Sequence, residues 1–79
     1  MNWRDHIHTD PAILSGKPVV QGTRLGVGFL LGLFAEGWTS KQVLDSYPVL
    51  TKEALQAVFA FAAELAREER LSSLATRGE

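Results

Sequence analysis

The chain has 79 residues, no cysteine and a net charge of −1, which excludes a disulfide framework, a thiolate metal site and a global basic field for nucleic acid. A domain this small buries only about 60% of the surface its unfolded chain exposes, so self-association is the expected supplement to its core. The N-terminus lacks an apolar signal core, and the most apolar run, Leu25 to Ala35, is far shorter than the roughly 20 residues of a membrane span; these features predict a cytoplasmic protein without membrane contact.

From Trp3 to Thr9 the residues are short and polar around Ile7, a pattern compatible with a short strand. Asp10-Pro11 begins a turn, with proline presetting φ and the aspartate able to bond the backbone beyond it. Ser15-Gly16-Lys17-Pro18 is a second turn signal, and the β-branched Val19-Val20 that follows suits a strand. Gly22-Thr23 then kinks the chain before Arg24. The N-terminal third therefore reads as a small β arm.

The remainder reads as three helices. Val27 to Glu36 is apolar nearly all round, which predicts burial on most sides, and Gly37 supplies the left-handed stop expected just past a helix. Within it, Gly28-Phe-Leu-Leu-Gly32 has the small-xxx-small spacing of close helix packing and is expected to mark a crowded core contact. Thr39-Ser40-Lys41-Gln42 is a capping box that starts a second helix at Ser40, ended near Tyr47 by Pro48. Thr51 caps the third helix, with Glu53 favourably placed in its first turn. Leu55, Val58, Phe59, Ala62 and Leu65 form its apolar stripe, and Phe61, with Ala57 and Ala54 behind it, lies off that stripe. A partner surface is the expected use of Ala57 and Phe61, the other being a β arm folded back over Phe61. One domain, residues 1–71, is expected to precede a flexible tail at 72–79.

A helix, a proline-containing turn and a capped helix make the arrangement of a helix-turn-helix, with the first helix completing a three-helix core. That frame turns the start of the third helix toward a major groove and presents Lys52, Glu53 and Gln56, glutamine suiting adenine and glutamate cytosine. Lys17, Arg24, Arg4 and Lys41 are the candidate phosphate contacts. Arg24 is equally suited to holding Asp10 or a carbonyl, and Lys17 to plain solvation in its turn. Gly16-Lys17 is not a phosphate loop, because Pro11 stands where the leading glycine belongs and Pro18 where the hydroxyl belongs. His6 and His8 have no third ligand nearby in sequence, and no general base is placed beside a nucleophile. The expectation is a protein that is not an enzyme and carries neither metal nor cofactor.

Asp10-Pro11, Ile13, Gly16-Lys17-Pro18, Gly22-Thr23-Arg24, Asp45, Tyr47-Pro48, Leu50-Thr51 and Ala60-Phe61-Ala62-Ala63-Glu64 together resemble a small bacterial family known as domain of unknown function four-three-three. Its members look like antitoxins of type II toxin-antitoxin pairs. The resemblance, over about residues 5 to 66, implies a mainly α, homeodomain-like helix-turn-helix fold with a short N-terminal β arm, a homodimer, and a cognate PIN-like ribonuclease toxin. It implies an antitoxin that also represses its own operon by binding operator DNA. The neutral charge keeps a second reading open, a dimeric interaction module or adaptor without DNA binding. Family members usually carry proline where this chain has Gly26, and the tail beyond Arg70 is short where antitoxins commonly use an extended C-terminal segment.

Overall fold

The protein is described by a computed structural model over residues 1–70; the expected tail at 72–79 lies outside the described residues. Two strands, β1 (Ile7–His8) and β2 (Val19–Val20), precede three helices, α1 (Val27–Ala35), α2 (Ser40–Ser46) and α3 (Lys52–Leu65), and a π-helical turn, Ala66–Arg70, follows. The fold is mainly helical with a two-stranded antiparallel sheet.

The strands pair with Ile7 opposite Val20 and His8 opposite Val19. The extended segment expected from Trp3 to Thr9 is shorter in the structure, because Trp3–Asp5 closes into a 3-10 turn capped by Asn2. Asn2 accepts a hydrogen bond from the Arg4 backbone, and such local bonding competes with a strand ladder.

Turn chemistry explains the residues between the strands and just beyond them. The Asp10 carboxylate accepts the Ala12 N–H at 2.9 Å, an Asx turn. Leu14, Ser15 and Gly16 all have positive φ, at 50°, 56° and 84°. Leucine and serine rarely hold that conformation. Gly22 sits at φ 79°, and Thr23 locks the bend by donating its hydroxyl to the Val20 carbonyl at 2.8 Å and accepting from the Leu25 N–H at 2.9 Å. The backbone of β2 then ties down the start of α1. The Pro18 carbonyl accepts from Val27 N–H at 3.0 Å, and the Leu25 carbonyl from Val20 N–H at 3.1 Å.

The helix boundaries follow the capping residues. Gly37 at φ 100° ends α1 in a Schellman motif, with Gly37 N–H on the Phe34 carbonyl at 3.0 Å and Trp38 N–H on the Leu33 carbonyl at 3.1 Å. The Thr39–Gln42 capping box is complete. Thr51 accepts from the Ala54 N–H at 3.0 Å to start α3.

The core joins both strands to all three helices through Ile7, Val20, Val27, Leu30, Val43, Leu50, Ala54, Leu55, Ala57 and Val58. Although its sequence predicts it, helix α1 is not buried on most sides. Only Val27 and Leu30 are buried in it, and Phe29 is 49% exposed. A domain with three helices and a two-stranded arm has too few elements to surround a helix, so α1 is covered only on its inner side. Gly28 and Gly32 are likewise exposed rather than crowded, and a Cβ placed on either would meet nothing within 4 Å among the described residues. Each costs about 1 kcal/mol of helix stability relative to alanine.

Candidate partner and nucleic-acid interface

Two spans of sequence that supplied separate candidate residues meet along one groove. Its walls are α2 and the first half of α3, its volume is about 550 Å³, and its lining includes Lys41, Asp45, Lys52, Glu53, Gln56 and Phe59. Lys41, Lys52 and Gln56 are thus brought together, with Glu53 beside them. The apolar part of the lining comes from Leu44, Leu55 and Phe59.

The charges of the groove are balanced by sign. The Lys41 ammonium lies 2.9 Å from the Asp45 carboxylate, one helical turn along α2. That hydrogen bond first, and the charge of Asp45 second, hold Lys41 above the ordinary lysine range. Both side chains remain largely exposed, and salt screens such pairs. Lys52 has Glu53 as its neighbour on α3 and along the groove.

The other predicted phosphate contacts stand apart from this groove. Lys17 is exposed and lines a second concavity with Leu14, Pro18, Gly26, Gly28 and Phe29, at the start of α1. Arg24 is exposed, and among the described residues it forms no hydrogen bond or ion pair with a side chain, so it does not hold Asp10. Arg4 is engaged within the chain: its guanidinium is 3.4 Å from Glu64 and lies 4.3 Å from the centre of the Trp3 ring. That contact with the indole is a cation–π arrangement.

Ala57 and Phe61, the residues expected to face a partner, turn inward. Ala57 has 0% exposure and belongs to the core. Phe61 is half-buried beneath the N-terminal turn, edge-on to Trp3 with ring centroids 4.9 Å apart. The Trp3 indole N–H also donates to Glu64 at 3.1 Å. The segment ahead of β1 therefore folds back over α3 and covers the face that sequence periodicity left over.

The apolar residues left outside are different ones. Phe59 is 42% exposed and Leu65 57% exposed, although both fall on the predicted inner stripe. Phe59 also occupies a row with Lys52, Gln56 and Ala63, spaced as i, i+4, i+7 and i+11. That row is polar at its start, a signal in the sequence that Phe59 faces outward. Phe34 of α1 packs against Phe59 at 4.8 Å between centroids, and Phe29 meets Tyr47 edge-on at 5.9 Å.

Among the described residues no helix is long and apolar enough to cross a membrane. A family model described as "Protein of unknown function (DUF433)" matches residues 7–62. Comparison with curated proteins gives no match. Among solved structures, the crystal structure of a DUF433 member protein from Anabaena variabilis, at 2.00 Å resolution, matches with a TM-score of 0.74 and 28% sequence identity. The match covers 77% of this chain and 60% of that one.

Proposed function

Since the chain belongs to the DUF433 family, we propose that it is a type II antitoxin, a protein-binding domain that masks a PIN-like ribonuclease toxin. The observation that carries this reading is the half-exposed Phe59 in a groove lined by Leu44 and Leu55 and edged by charges of both signs. An amphipathic segment of a partner protein fits such a surface. Its apolar side chains would cover Phe59, and its charges would find Lys41, Asp45, Lys52 and Glu53. The domain works in the cytoplasm, as a binding partner rather than a catalyst.

Co-expression with the product of the adjacent gene tests the proposal. The wild-type chain should co-purify with that product and suppress its ribonuclease activity. Phe59→Glu should lose capture while the far-ultraviolet circular dichroism spectrum stays helical. A wild-type chain that captures no neighbouring product, or a gene with no toxin beside it, overturns the reading.

A second reading, repression of its own operon, is favoured by one specific observation, the convergence of Lys41, Lys52 and Gln56 on the α2–α3 groove. In a helix-turn-helix frame this end of α3 would enter the major groove, and a dimer would double the contacts. Binding to the upstream promoter should weaken with salt. If about six phosphates are contacted, log K should fall against log salt with a slope near −5. A chain that captures its toxin yet leaves promoter DNA unshifted at low salt is an interaction module without DNA binding.

A further inference from the structure

The outer face of α1 departs from what this chain needs to fold alone. Leu25 to Ala35 contains no charged residue, yet Gly28, Phe29, Gly32 and Ala35 are all exposed. These positions follow helical spacing and share one side of α1. Phe29 is 49% exposed. Among the described residues, nothing comes near enough to require glycine at 28 or 32.

Charges of opposite sign stand at the two ends of α1. Exposed Arg24 precedes α1 and exposed Glu36 ends it, and among the described residues neither side chain is in an ion pair. Lys17 lies at the same end as Arg24, beside the concavity formed with Leu14, Pro18, Gly26 and Gly28.

We propose that the exposed face of α1 binds the α1 of a second copy of this chain, antiparallel and across a two-fold axis near position 30. This deepens the dimer implied for an antitoxin and rests on that reading only for its biological setting. The register is self-complementary: the operation that sets Gly28 against the partner subunit's Gly32 also sets Arg24 against the partner subunit's Glu36. Both pairs are centred on the same residue, so one axis satisfies them together, as an isologous interface requires. The glycines let the two backbones approach more closely than the usual 8–10 Å between helix axes. Phe29 of each copy lies beside the axis and is covered. The dipoles agree, because Arg24 meets the negative end of the partner's helix and Glu36 the positive end. A parallel arrangement would instead set Arg24 against Arg24 and Glu36 against Glu36. The concavity at the start of α1 then faces the end of the partner's helix, with Lys17 as a second cation near Glu36.

Sedimentation equilibrium of the full chain without toxin tests this separately from toxin capture. Wild type should be a dimer at micromolar concentration. Gly32→Gln, whose side chain has open space in the monomer and improves helix propensity, should keep the fold and raise the dimer dissociation constant by about tenfold or more. Glu36→Arg should also weaken the dimer, and Arg24→Glu in the same chain should restore it, since the exchanged charges meet again in this register alone. A dimer that tolerates Gly32→Gln, or a double variant that is not restored, overturns the proposal. So does a wild-type chain that stays monomeric while Gly32→Gln loses toxin capture, which would assign this face to the toxin.

Discussion

Helices α1 and α3 are both strongly apolar, yet they use that character in opposite directions. In α3, four residues of the first two turns are buried, Ala54, Leu55, Ala57 and Val58, and the N-terminal turn covers Phe61. In α1 only Val27 and Leu30 are buried. The difference teaches that apolar composition measures how much surface a helix must hide, not who hides it. Folding buries the inner residues of α3 and half-buries Phe61, whereas the outer side of α1 keeps Gly28, Phe29, Gly32 and Ala35 exposed.

Substitutions along the two helices should separate these uses, beginning with the core they share. Leu30→Ala, at 0% exposure, should cost about 2–5 kcal/mol in urea unfolding, while Phe29→Ser one position away should change monomer stability far less and weaken the dimer. If the two cost the same, the contrast between the inner and outer faces of α1 fails. On α3, Phe61→Ala should cost about 2 kcal/mol because it removes the Trp3 contact. Phe59→Ala should cost less than Phe61→Ala and act mainly on capture of the partner. Tryptophan fluorescence should report the loosening of Trp3 in the first variant and not in the second.

Smaller effects lie at the helix ends. Thr51→Ala should cost about 1 kcal/mol by removing the hydrogen bond that caps α3, and Thr51→Ser should recover most of it. At the start of α1, Gly26 has φ −74° and ψ 144°, close to the values proline imposes. Its N–H lies outside the hydrogen bonds that join β2 to this segment, which run from Val20 and Val27. Gly26→Pro should therefore stabilise the monomer by about 0.4–1 kcal/mol. The new Cβ would sit 3.1 Å from the end of the Leu14 side chain, which is 44% exposed and free to give way. A loss of thermal stability would show that Leu14, held at positive φ, cannot move.

Local chemistry made much of the fold legible. Thr39, Thr51, Gly37 and Pro48 each act within a few residues of their own position, so the helix boundaries could be read from them directly. The same is true of Asp10, Gly22 and Thr23, whose hydrogen bonds and left-handed backbone build the turns on either side of β2. The candidate site was legible only in pieces. Lys41, Lys52 and Gln56 could be named, but their meeting in one groove depends on how α2 and α3 are set together. The pairing of Lys41 with Asp45, by contrast, lies within α2 itself, one turn apart, and is legible in the spacing.

The residues from Asp10 to Arg24 and the helix caps by themselves determined the turns and the order of the elements, because those features are fixed by backbone conformation and short-range hydrogen bonds. Which aromatic ring of α3 the N-terminal turn covers was decided by the tertiary structure alone. Phe61 and Phe59 lie two positions apart on α3, and no periodicity could say that the N-terminal turn would reach one of them and not the other. Gly28 and Gly32 look like core residues until the helices are placed. Burial depends on long-range packing, and only that packing shows α1 with an uncovered face.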